Sequence, residues 1–110
     1  MDDLVRRDLR YDFYGGLLTE RQRRYWNLYY GEDLSLGEIA RQERVSRQAV
    51  QYALKRAEDA LVTFEDRLHL VEEFLARREK LRQVYELLGD LPRGGGVDEA
   101  RSLIAALVDS

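Results

Sequence analysis

Residues 45–58 read VSRQAVQYALKRAE. The hydroxyl residue Ser46 precedes a run in which Ala49, Val50, Ala53 and Leu54 fall on one side of a 3.6-residue helix. Arg47, Gln48, Gln51, Tyr52, Lys55 and Arg56 fall on the other. A basic amphipathic helix is most often only a solvated face, so its neighbours in the chain decide its use.

Immediately upstream, Ser35-x-x-Glu38 has the spacing of a capping box, in which the hydroxyl accepts from a first-turn amide and the carboxylate reaches back. It opens a helix over 36–43 with Leu36, Ile39 and Ala40 on one side. Two short helices joined by a tight turn, the second capped by a hydroxyl, describe a helix-turn-helix over about 35–57. A steep crossing needs a small residue, which Ala40 supplies. The turn needs a buried apolar residue, which Val45 supplies, and Val50 and Ala53 can point inward behind the polar face.

That outward face suits a major groove. Arg47 can donate two hydrogen bonds to guanine, Gln48 and Gln51 can pair in both directions with adenine, and the Tyr52 ring edge can meet a thymine methyl. Ser46 and the amides of the first turn favour a phosphate, and Lys55 and Arg56 extend the positive charge.

Upstream, Thr19-x-x-Gln22 repeats the capping box and starts a helix over 20–30, stopped by Gly31. A first helix over 3–15 is spaced by Leu4, Val5, Leu9 and Phe13 and weakened by Gly15-Gly16. Downstream, Leu61, Phe64, Leu68, Val71 and Leu75 step by three and four, and the pattern resumes at Leu81, Tyr85 and Leu88 after Arg78. This heptad-like seam continues the helix begun at Ser46, or forms a closely joined partner to it, and ends at Gly89. It serves as an intramolecular brace or as a homodimer interface. The homodimer is favoured, because helix-turn-helix proteins commonly read two half-sites as dimers. DLPRGGG, 90–96, is a linker, and Asp98 is placed to cap a last helix carrying Leu103, Ile104, Leu107 and Val108. The fold class is therefore all-α: a helical domain over 1–89, the linker, and a C-terminal helix or tail over 97–110.

Composition bounds the rest. One hundred and ten residues suit one modest core, and 35% charged residues with a single proline, Pro92, fit a helical chain. With no cysteine there are no disulfides and no thiolate chemistry, and MDDLVRRDLR lacks the apolar run of a signal peptide. No stretch approaches a membrane span, so a soluble, cytoplasmic protein is expected. The net charge of −3 disfavours nucleic acid at first sight. Residues 19–30 and 35–58, however, hold eight basic against four acidic residues, so the positive charge collects around the motif.

Other clusters read more plainly. Tyr25, Trp26, Tyr29 and Tyr30 could stack single-stranded bases, but Tyr25, Leu28 and Tyr29 are spaced for packing, and a core or dimer surface is the stronger reading. His69, the single histidine, reads as a surface or packing residue rather than a metal or catalytic group. Glu65, Asp66, Glu72 and Glu73 lie among basic residues as solvated ion pairs, and Gly94–Gly96 lack the Lys and Ser/Thr of a phosphate loop. No enzyme, metal or cofactor is indicated.

LTERQRRYWNLYYGEDLSLGEIARQERVSRQAVQYALKRAEDAL, 18–61, resembles region 4 of bacterial sigma factors, which reads the promoter −35 element. DFYGGLLT, LSLGEIA, VSRQAV and EDRLHLVEEF resemble still more closely the YlxM family of small bacterial proteins, over about 12–85. The resemblance implies an all-helical, DNA-binding candidate, encoded beside the signal recognition particle GTPase and linked to regulation of that pathway. Arg47, Gln48, Gln51, Tyr52 and Arg56 then fall at base- or backbone-contacting positions, with Ser46 at the cap. One departure stands out: Glu43 replaces an aromatic at the end of the motif's first helix, which removes a core contact and sets a negative charge near the groove. Double-stranded DNA is the first partner expected. A protein-binding adaptor of signal recognition particle components, or a ligand of its RNA, is the alternative.

Overall fold

The computed structural model describes residues 3–109, and among them it has six α-helices and no strand: α1 Asp3–Tyr14, α2 Glu20–Trp26, α3 Leu36–Glu43, α4 Arg47–Leu68, α5 Leu70–Gly89 and α6 Val97–Asp109. They form two compact units that divide between Val71 and Glu72, earlier than the 90–96 linker at which the sequence suggests a division.

In the first unit both expected capping boxes form. Gln22 N–H donates to Thr19 Oγ1 at 3.1 Å and Glu38 N–H to Ser35 Oγ at 3.1 Å, while each third-position side chain accepts from its cap amide. The helix expected over 20–30 is α-helical only to Trp26 and continues to Gly31 as a wider π-turn. The reason is packing: the π-turn brings Tyr30 against Trp26, with ring centroids 4.5 Å apart, and Trp26 stacks on Tyr11 of α1 at 5.3 Å. Arg7 of α1 lies 4.0 Å over the Tyr30 ring. Tyr25, Trp26 and Leu28 are buried, so the aromatic cluster is core that clasps α1. The 3–15 helix closes at Tyr14 and tightens into a 3₁₀ turn over Gly15–Leu17. A Cβ at Gly15 would stand 3.0 Å from the Tyr11 ring, so any larger residue there must push that ring aside.

The helices converge on α4, against which α1, α2 and α3 all pack. Ile39 and Ala40 of α3 and Val50, Leu54, Ala57 and Leu61 of α4 are buried. Between α3 and α4, Arg44 takes a left-handed conformation at φ 59°, and both its own N–H and that of Val45 donate to Ala40 O. Glu43 at the end of α3 is held by the Arg24 guanidinium of α2, with Nη2 3.0 Å from Oε2. The Arg24 hydrogen bond keeps the Glu43 carboxyl below the usual carboxylate range.

Between the possibilities of one long helix and a joined pair, the structure has the pair, broken at His69, which is left-handed at φ 57°. Tyr14 holds the break. Its hydroxyl donates to Glu65 Oε1 at 2.6 Å and accepts from Leu70 N–H at 3.0 Å, while Val71 N–H donates to the same Glu65 oxygen at 2.9 Å. Two first-turn amides of α5 are thereby satisfied. Burial and then the Glu65 hydrogen bond push the Tyr14 hydroxyl above its ordinary value, so it stays a donor at neutral pH.

The seam residues differ in their surroundings within the chain. Leu61 and Val71 are each 1% exposed, and Phe64 sets its ring 5.9 Å from Tyr14. These three serve the first unit's own core as a brace. Of the five residues expected at a homodimer surface, Leu68 is the exposed one and Leu75, in the second unit, is half-buried.

In the second unit, α6 begins at Val97, one residue before the expected cap. Asp98 sits inside its first turn and accepts from Arg93 Nε at 3.1 Å, while Gly94 and Gly96 carbonyls receive the amides of Val97 and Ala100. Arg101 lies 4.1 Å over the Tyr85 ring of α5.

Tyr14→Phe keeps the ring but leaves Glu65 Oε1 and the Leu70 amide each short of a bond; the loss expected in denaturant unfolding is about 1–3 kcal/mol, and a change under a few tenths would show that the latch does not hold the break. Glu43, with its carboxyl depressed, stabilises the fold above the ordinary carboxylate pKa of 4.5, and that contribution disappears as pH falls through its folded value. The gap in melting temperature between wild type and Glu43→Gln should therefore narrow from pH 7 to pH 3.

Candidate nucleic-acid interface

The site begins with Ser46. Its extended backbone and its Oγ, which accepts from Ala49 N–H at 3.0 Å, start α4 directly after the turn. Because Val50, Leu54, Ala57 and Leu61 are buried along one stripe, the 3.6-residue period puts Arg47, Gln48, Gln51, Tyr52, Lys55 and Arg56 outside, and all six are exposed. Ser46 itself is exposed at the helix start. All seven expected contact residues therefore share one accessible surface.

Within that surface the residues are not equivalent. Lys55 Nζ lies 3.2 Å from Asp59 Oδ1, one turn on, and this pairing raises its pKa, so much of its charge is already answered. Arg56 Cζ sits 6.0 Å from the Tyr52 ring, at the outer limit of a cation–π contact. Tyr52 is 67% exposed and stands between two grooves. One is walled by Tyr29, Tyr30, Leu36, Gln48, Gln51 and Lys55 and closed by Glu58. The other runs between α2 and α4, past Arg21, Gln22, Val45, Ala49 and Arg56.

The second groove brings in a residue that the motif alone does not name. Arg21, exposed on α2, shares a cleft with Arg56, and a further cleft joins Arg21 to Arg44 in the turn. Among the described residues Arg21, Arg44, Arg47 and Arg56 make no ion pair, whereas Arg24 is bound to Glu43. The sequence signal for Arg21 is the positive charge of 19–30; its position beside α4 comes from the packing of α2. The negative charge at Glu43, the departure noted above, is compensated by Arg24, and its side chain is only 12% exposed.

The first turns of α4, capped at their start, exposing Arg47, Gln48, Gln51 and Tyr52 and rimmed by arginines from two neighbouring segments, have the width and chemistry to enter a groove of about 12 Å and touch backbone on either side. Among the described residues no helix is long and apolar enough to cross a membrane.

Comparison with known proteins gives a consistent result. Residues 1–91 match the family described as "Putative helix-turn-helix protein, YlxM / p13 like". A UPF0122 protein of Desulforamulus reducens is 42% identical over 99% of this chain and 96% of its own length. A UPF0122 protein of Bacillus pumilus is 41% identical over 97% and 94%, and one of Halalkalibacterium halodurans is 48% identical over 78% and 79%. With its two capped helices, the Arg44 turn and these relatives, the chain belongs to the YlxM / p13-like helix-turn-helix family, UPF0122.

Proposed function

We propose that this protein is a DNA-binding regulator that places α4, from Ser46 onward, in the major groove, and that it does so as a homodimer. The observation that carries this reading is the exposure of Arg47, Gln48, Gln51 and Tyr52 on the face of α4 opposite its buried stripe. In that pose Arg47, Gln48 and Gln51 read base edges and Tyr52 meets a thymine methyl. Arg21, Arg44 and Arg56 hold phosphates, with Ser46 at the helix start, and Lys55 contributes less because Asp59 competes for it.

A second reading, from a different class, takes its support from the groove of Tyr29, Tyr30, Leu36 and Tyr52, whose walls could hold an apolar side chain of a protein partner. On this reading the protein is an adaptor for signal recognition particle components, the pathway to which its sequence resemblance points, and its regulatory role is exerted there. A pull-down that recovers the particle from cells, together with no DNA retention at low salt, selects the adaptor; sensitivity of that recovery to RNase selects the RNA.

The DNA reading is tested by selection from random duplexes followed by fluorescence anisotropy. Arg47→Ala with Gln51→Ala should remove the sequence preference, at about 1–3 kcal/mol per base contact. Arg56→Ala should weaken all duplexes alike and lower the salt slope by about 1. With Arg21, Arg44 and Arg56 on phosphates, the slope of log K against log salt should be about −3 per chain. Equal affinity of the wild type for every duplex overturns base readout.

A further inference from the structure

The groove on the Tyr29–Tyr30 side of α4 has a volume of about 490 Å³, the size of a ligand or side-chain site. Buried Leu54 and half-buried Tyr29, Tyr30 and Leu36 give it an apolar lining. Gln48, Gln51, Lys55 and Glu58 follow one another on α4 at steps of three, four and three, so a single stripe of the helix forms one wall. Glu58 stands at the far end of that stripe, about 10 Å from Gln51 along the axis.

The two flanks of α4 differ in charge. Toward α2 the cleft carries Arg21 and Arg56. On the groove side Lys55 is answered by Asp59 at 3.2 Å and Arg7 by Asp8 at 3.1 Å, while Asp33 and Glu38 line a further cleft behind Tyr29 and Tyr30. Half-buried Glu58 makes no hydrogen bond or ion pair among the described residues. Burial raises the pKa of the Tyr30 hydroxyl; the Arg7 charge opposes the rise and the Glu58 charge adds to it, so the field of Glu58 reaches the rings. This flank repels phosphate and attracts a cation. Its rings already hold one: the Arg7 guanidinium lies 4.0 Å over Tyr30, and Tyr29 meets Tyr30 edge to face with centroids 4.9 Å apart.

We propose that this groove binds a peptide segment of a protein partner through an arginine, whose guanidinium pairs with Glu58 and lies against the tyrosine rings while an adjoining apolar side chain covers Leu36 and Leu54. Charge complementarity selects the cation, and the rings select a flat guanidinium over a compact ammonium. A lone small cation fills only the Glu58 end of a groove that runs on to Gln48, so the occupant is a segment with an apolar neighbour. Gln48, Gln51 and Tyr52 belong both to the groove and to the face offered to DNA, so the peptide and the duplex exclude each other. The site rests on the adaptor reading of the groove and names its partner's chemistry; the exclusion rests on the DNA reading as well.

A display library of random short peptides, panned on the full chain without DNA, tests the site apart from DNA reading. Enriched peptides should carry an arginine beside an apolar residue. The enriched peptide, labelled and read by fluorescence anisotropy, should lose about tenfold or more in affinity when its arginine is exchanged for citrulline, which keeps the shape without the charge. Glu58→Gln in the protein should cost as much with helical circular dichroism kept, whereas Asp66→Asn, two turns further along α4, should cost nothing. Enrichment of uncharged peptides, equal affinity for the arginine and citrulline forms, or unchanged binding by Glu58→Gln overturns the site. So does retention of single-stranded oligothymidylate that Tyr29→Leu releases, which makes the groove a base stack, or a wild-type dimer that Glu58→Gln splits, which makes a second copy the occupant. Unlabelled peptide should displace the duplex enriched by selection; binding without displacement overturns the exclusion alone. A chain that holds the peptide but no duplex overturns the DNA reading, and the exclusion with it, and leaves the peptide site standing.

Discussion

Burial of Val50, Leu54, Ala57 and Leu61 along one stripe of α4 is the constraint on which the first unit depends. Three helices meet that stripe, so the rotation of α4 about its own axis is set by packing rather than by its polar residues. Once the rotation is set, a helix has no freedom left over what its opposite face displays. Placing Arg47 or Gln51 inward would mean withdrawing Val50 or Leu54 from the core, at a cost of several kcal/mol. The candidate reading face is thus a consequence of the core.

Much of this was legible in the sequence because the signals were local. The boxes Thr19–Gln22 and Ser35–Glu38 and the cap Ser46 are satisfied within three residues of themselves, so spacing alone announces them. The 36–43 helix and the rotation of α4 follow from short-range period. What escaped the sequence depends on partners far along the chain. The end of α4 at His69 carries no glycine or proline; it is held by Tyr14, more than fifty positions earlier. The seam 61–75 has the period of a dimer interface, but the same period serves an internal brace, and only the packing of Phe64 on Tyr14 separates the two. The π-turn after Trp26 is likewise a tertiary effect, in which rings from α1 and α2 override a helix that local propensity would have continued.

Electrostatics in the candidate site follows the same division. Glu43 beside a groove for DNA reads as a defect when the motif is taken alone. In the fold its carboxylate accepts from Arg24, turning an unfavourable charge into a tie between α2 and α3. The tie also consumes a cation: Arg24 and Lys55 both lie near the reading face and both are engaged by carboxylates. Arg21, Arg44 and Arg56 are left beside the reading face for phosphates, fewer than the six to ten contacts of strongly salt-dependent binders.

That scarcity raises the value of a second reading head. A single reading head with few phosphate contacts and a chain charge of −3 would spend little time on nonspecific DNA, and its affinity would come mainly from base edges. Joining two such heads makes the second engagement intramolecular, multiplying affinity without any added positive charge. An acidic chain could then discriminate strongly while remaining a poor binder of random sequence.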